Sequence, residues 1–199
     1  MNVSEQAGAA AIQVGGLQSL LETIERKTEP ALRHDLDLMR GRSVKSRGRT
    51  LHISFIIGWH EMALPVSAMQ ALGIMPAITP LPYLPPWIKG IVQIRGEILS
   101  VVDFQQLFHL REERRTILQH SYIFFQHGEL QFCLLVNRIT GIWNVDEVED
   151  RLEPCSKDEQ ANCAEMMEFI KGVLVRDRRR IFILNSEAVG QAEIIRRWR

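Results

Sequence analysis

Few side chains in this chain could do covalent chemistry, and they are poorly spaced for it. Six histidines, His34, His52, His60, His109, His120 and His127, stand at no informative spacing from a nucleophile or from one another, so no Ser-His-Asp set or other acid–base pair is visible. Three cysteines, Cys133, Cys155 and Cys163, make no CxxC pair and have no histidine at metal-ligand spacing, which speaks against a metal or redox centre. The glycines of 90–96 lack the Lys-Ser/Thr that completes a phosphate loop. The expectation is no catalytic residue, no metal and no cofactor. What stands out is one cation, Arg95, followed by Gly96. A guanidinium at a turn is a rigid fork suited to carboxylates or carbonyls on another chain, so the chemistry on offer is noncovalent recognition.

The elements that must hold Arg95 are legible in the run from Pro85 to Phe104. β-branched residues dominate two arms and Gly96 can take the positive φ of a tight turn, so the run reads as strand, turn, strand. Alternation places Val92 and Ile94 on one face and Ile91, Gln93 and Arg95 on the other, one buried side and one side available to a partner. Ile91 therefore reads as an interface residue, whereas Val66 reads equally as interface or interior. Such aliphatic anchors gain about 25 cal/mol per Å² when a partner covers them. Trp59, Trp87, Trp143 and Trp198 read as core or cap residues, with Trp87, after two prolines, closing the end of a barrel.

Upstream, residues 1–49 form a distinct tail. Leu17, Leu20, Leu21 and Ile24, then Leu32, Leu36 and Met39, recur at helical spacing, divided by Pro30. The run Arg40–Arg49 is basic with no acidic residue, a solvated linker or a patch for an acidic partner or membrane. Residues 62–88 carry no charge, longer than the roughly 20 residues of a membrane helix. Pro65, Pro76, Pro80, Pro82, Pro85 and Pro86 interrupt that run and argue against a span.

From Leu51 onward the pattern is one of short strands: 51–57, 60–66, 72–80, 89–94, 97–102, 120–126, 130–136, 140–145, 172–176 and 180–184, with helical pieces at 67–71, 103–109 and 186–198. This points to small barrels, in a domain spanning 50–199. An internal echo accompanies it: Gly90, two strands and Asp103 parallel Gly172, two strands and Asn185. The 199 residues suit one domain of about 150 residues and a tail. Acidic and basic residues balance at 24 each, with no global pull toward nucleic acid or membrane. The odd cysteine count and the lack of an export signal in Met1–Gln6 read as cytoplasmic.

The Pro85–Phe104 block resembles the CheW-like family of chemotaxis coupling proteins. The likeness continues through Phe55–Gly58 with Ala63–Val66, Phe132–Asn137, and Phe169–Gly172 with Ile181–Asn185, in the family's order. It implies a mainly β fold, two five-stranded SH3-like β-barrels side by side, with short helices. It implies a non-catalytic adaptor joining the cytoplasmic tip of a chemoreceptor to the regulatory domain of a CheA-type histidine kinase, reaching membrane arrays only through receptors. A twitching-motility or other chemotaxis-like pathway is the close variant. Carried over residue by residue, the receptor surface is Arg95 with Ile91, Lys89 and Gly90, and the kinase surface Val66, Ala71 and Leu72.

Three positions depart from the family's pattern. Met69-Gln70-Ala71-Leu72 lacks a carboxylate common at the partner-facing surface, Ser100 replaces a proline, and Asn137 replaces an aspartate, losing a charge but keeping an acceptor. Two rival readings come from other classes. A nucleic-acid-binding SH3-like protein would use the 40–49 run and needs stacking aromatics on a basic surface, which neutral total charge disfavours. A small hydrolase would need a histidine and Asp103 to converge only in three dimensions.

Overall fold

In the computed structural model, residues 49–111, 119–146 and 150–198 are described, so the expectations for the tail up to residue 48 lie outside the described residues. The apolar–polar alternation read above folds into strands β1 (Arg49–Ile57), β2 (His60–Pro65), β3 (Met69–Ile74), β4 (Ile88–Ile94), β5 (Glu97–Val102), β6 (Ser121–His127), β7 (Leu130–Val136), β8 (Arg138–Asp146), β9 (Ile170–Arg176) and β10 (Arg179–Leu184). Short helices α1 (Phe104–Leu107), α2 (Lys157–Asn162), α3 (Ser186–Gln191) and α4 (Glu193–Arg196) and 3₁₀ segments Val66–Ala68 and Ala164–Phe169 complete it. The protein is mainly β, as expected. Its strands make two five-stranded sheets, ordered β8-β1-β2-β10-β9 and β3-β6-β7-β5-β4.

The barrels expected from the resemblance take this form: linear ladders whose outer strands are drawn together by side chains. One apolar cluster gathers Ala71, Val92, Ile94, Leu99, Val101, Tyr122, Phe124 and Cys133, from all five strands of the second sheet. Its two outer strands meet where Arg95 Nη1 donates to the Gln70 carbonyl at 3.1 Å. In the first sheet, Ala63, Val145, Leu174, Ile181 and Ile183 pack together, and Arg176 Nη1 reaches the Asn144 carbonyl at 3.4 Å. Phenylalanines join the halves: Phe104 stacks edge-on with Phe108 (5.2 Å between ring centres), and Phe108 lies 5.2 Å from Phe169. Such pairs contribute about 1 kcal/mol beyond the area they bury.

The echo in the sequence is a structural duplication. Hairpins β4–β5 and β9–β10 have the same register, each with an irregularity at its open end, Ile88/Gly90 in one and Ile183/Leu184 in the other. Both turns have two residues with positive φ, Arg95 and Gly96 in one, Asp177 and Arg178 in the other, the requirement of the twist-matched two-residue hairpin. Asp103 then caps α1 by accepting from Gln106 N at 3.2 Å. Asn185 caps α3 by accepting from the Glu187 and Ala188 amides at 3.1 and 3.2 Å. Strand β5 runs parallel to β7, and β10 runs parallel to β2. Each sheet thus takes a hairpin from one end of the repeat and three strands from the other.

Several boundaries differ from the sequence reading. Residues 69–71 are strand, because Met69 and Ala71 pair with Phe125 and Phe124 on β6; only Val66–Ala68 is helical. The strand expected over 72–80 stops at Ile74, before Pro76, and resumes as a single bridge from Thr79 to Ile91. The helix expected over 186–198 breaks at Ala192, whose ψ of 108° lies outside the helical range. Helix α2 adds to the elements expected from the sequence, and Ser156 and Glu159 start it with a reciprocal capping box.

Candidate protein-binding surface

Hairpin β4–β5 is built as the alternation predicted. Ile88, Val92 and Ile94 are buried, Ile91 is half-buried and Gln93 exposed. Across the ladder, Ser100 pairs with Ile91 and Ile98 with Gln93, so these side chains share the outward face. Ile98 is 71% exposed. It is the largest bare apolar group of the hairpin, and the sequence reading missed it because alternation alone does not say whether an apolar residue faces solvent or a neighbouring element.

The expected receptor residues hold different stations. Arg95 is exposed at the turn, with its guanidinium anchored on the Gln70 carbonyl, which fixes the fork while leaving further N–H donors for a partner. Lys89 is drawn inward to Asp103, Nζ to Oδ2 at 3.1 Å. Gly90 is buried with φ +136°, and a Cβ there would collide with the Thr79 carbonyl oxygen. Its glycine is demanded by the close passage of the 79–80 backbone, so Gly90 shapes the hairpin's outer edge and offers no side chain to a partner.

The residues expected to face a kinase sit inside. Val66, Ala71 and Leu72 are 6%, 0% and 2% exposed, because the 3₁₀ segment and β3 turn these side chains into the core. What the structure brings together is the backbone of this segment and Arg95, through the same Gln70 carbonyl. Trp59, expected in a core or cap, is 58% exposed at the β1–β2 turn. Asn137, by contrast, uses the acceptor it kept: its Oδ1 takes the Gly58 amide at 3.2 Å and so pins that turn.

Folding creates one pairing of nucleophile and base that spacing hides. Cys163 Sγ lies 3.5 Å from His60 Nε2, with the imidazole edge-on to Phe182. Burial pushes the Cys163 thiol up to about 11 and lowers the His60 pKa, with Glu159 opposing the latter. The pair is a neutral imidazole beside a protonated thiol, and Cys163 is fully buried, the opposite of an activated nucleophile. Burial likewise raises Cys133 to about 12. Among the described residues, no three His, Cys, Asp or Glu side chains cluster as metal ligands. No helix among them is long and apolar enough to cross a membrane.

Two five-stranded sheets and an outward-facing hairpin define a β-rich domain. The model of the CheW-like domain matches residues 52–193, and the chain belongs to that family. It is similar to the chemotaxis protein CheW of Rhizobium meliloti (strain 1021), 28% identical over 147 residues that cover 73% of this chain and 90% of that protein. It is also similar to Protein PilI of Pseudomonas aeruginosa, 26% identical over 133 residues, 63% of this chain and 67% of that protein. In fold it resembles the scaffolding protein TtCheW from Thermoanaerobacter tengcongensis, with a TM-score of 0.56 and 20% identity over 68% of this chain and 88% of that one.

Proposed function

We propose that the protein is a non-catalytic adaptor that couples a chemoreceptor's cytoplasmic tip to the regulatory domain of a CheA-type histidine kinase. The observation that carries the reading is the outward face of β4–β5, where Ile98 and Gln93 lie bare beside an Arg95 whose orientation is fixed by Gln70. The receptor's helical hairpin lies along this face, meeting Arg95 with carboxylate or carbonyl oxygens and covering Ile91 and Ile98. The kinase domain packs end to end on the edge formed by β3 and the 3₁₀ segment before it, through backbone and the exposed Ile74, with Val66, Ala71 and Leu72 setting the edge's shape from within. In this reading the protein acts at membrane-associated receptor arrays and reaches the membrane only through its receptor. Interfaces of about 800 Å² per partner with micromolar affinity, about 8 kcal/mol, suit a switchable assembly.

A second reading, an adaptor in a chemotaxis-like pathway with another output such as twitching motility, draws support from the likeness to Protein PilI. The test for both is a binding titration of the full chain with a receptor signalling tip and, separately, with a kinase regulatory domain. Arg95→Ala is expected to weaken receptor binding at least tenfold and leave kinase binding and melting temperature unchanged. Undiminished receptor binding by that variant overturns the assignment.

A further inference from the structure

Away from the Arg95 turn, at the far end of hairpin β4–β5, an open cleft of about 540 Å³ lies between the end of α1, the 3₁₀ segment Ala164–Phe169 and the α3–α4 junction. Its volume falls within the usual range of binding pockets. Strand β5 alone, about 20 Å long, separates it from Arg95, so it is not part of the receptor face proposed above. The floor is apolar, formed by Leu107, Phe108, Phe169 and Ala192, with Ile194, 48% exposed, at the lip. The rim carries three carboxylates, Glu165, Glu168 and Glu193, and among the described residues no lysine or arginine lines the cleft.

Among the described residues, none of these carboxylates pairs with a lysine or arginine. Glu165 has His109 Nε2 at 3.9 Å, while Glu168 and Glu193 have no ion-pair partner among the described residues. Three like charges around a wet apolar floor repel one another, and the floor itself gains by leaving water. Both terms improve if the occupant brings an apolar stripe flanked by cations. We infer that this acid-rimmed cleft is a docking site for an amphipathic helix of a partner protein, with apolar residues at i, i+3 or i+4 and i+7 seated on Phe108 and Phe169 and Lys or Arg side chains on its flanks.

The test uses two labelled helical peptides with the same leucine stripe, one with lysines and one with glutamates on the flanks, titrated into the full chain by fluorescence anisotropy. The lysine peptide is expected to bind at least tenfold more tightly than the glutamate peptide, with affinity falling as salt rises. The triple variant Glu165→Gln, Glu168→Gln, Glu193→Gln, all three positions being exposed, should lose that tenfold preference while keeping its circular dichroism. Ala188→Trp, which fills the cleft wall, should abolish binding of both peptides. Equal affinity of the two peptides, no binding by either, or a triple variant that keeps the preference overturns the inference. So does a dimer in sedimentation that the triple variant dissolves, which would make a second copy of the chain the occupant.

Discussion

Hairpins β4–β5 and β9–β10 are near-copies in backbone and opposites in use. In the second, the arginines are tied down within the molecule, although Val175 beside them is 44% exposed. Arg180, at the position matching Ile98, donates to Glu159 at 2.7 and 3.0 Å and to Glu153 at 2.9 Å. Arg179 pairs with Glu61 and lies 5.2 Å over the Trp143 ring, and Arg176 pairs with Asp150. The Glu61 carboxylate also accepts from Thr140, whose hydroxyl meets the Ser54 hydroxyl that Trp143 Nε1 bonds. In the first hairpin, Ile98 is bare and Arg95 is held by its hydrogen bond to the Gln70 carbonyl. One backbone thus serves as a closed structural unit in one half and as an open surface in the other, and the difference lies in side chains alone.

The sharpest way to break this equivalence is at the glycine each hairpin places beside a crossing segment. Gly90→Ala must endure a φ of +136° and a collision with the Thr79 carbonyl. It is expected to cost about 3 kcal/mol, a fall in melting temperature of about 10 °C. Gly172→Ala meets Leu152 Cβ at 2.8 Å without a positive φ, and should cost about half as much in a urea titration. Equal losses at the two sites would show that the halves are constrained alike.

On the binding side, Ile98→Glu is expected to reduce affinity for a receptor tip about tenfold with stability changed by less than about 0.5 kcal/mol. Arg178→Ala, in the matching turn of the closed hairpin, should leave that affinity unchanged. A receptor titration in which both variants lose equally would mean the closed half also faces the receptor.

The smallest effect concerns pH. Hydrogen bonds from Arg180, and then the Ser156 amide and hydroxyl, hold the Glu159 carboxyl down to about 2 against opposing desolvation, below its unfolded value of about 4.3. A depressed folded pKa contributes stability above the unfolded value that is lost as the pH falls toward 2. The wild-type melting temperature should therefore decline more steeply between pH 5 and 2 than that of Arg180→Ala, with the two converging at the acid end. Parallel curves would remove Glu159 from the account of the closed half.

Much of this comparison was legible early because it depends on local chemistry. The positive-φ turn at Arg95-Gly96, the strand arms beside it and the echo from Gly172 to Asn185 follow from residue types over short distances. Helix α2 is equally local, since its capping box lies within four residues. Burial of Val66, Ala71 and Leu72 was not legible. An aliphatic residue on a strand reads the same whether the face it points to is filled by β6 or left to a partner, and Val66 was poised between the two. The approach of His60 to Cys163, 103 positions apart, leaves no periodic trace at all.

By itself, then, the sequence determined where strands begin and turn and which glycines the backbone needs. These are decided by dihedral preferences and hydrogen-bonding groups that each residue carries wherever it sits. Tertiary structure alone decided that hairpin β1–β2 completes the sheet of β8–β10 while β6–β7 completes that of β3–β5, and that Ile98 is left bare where Arg180 is covered by charge. Burial and ion pairing are properties of neighbours, and which neighbours a residue acquires is settled only when distant strands pack.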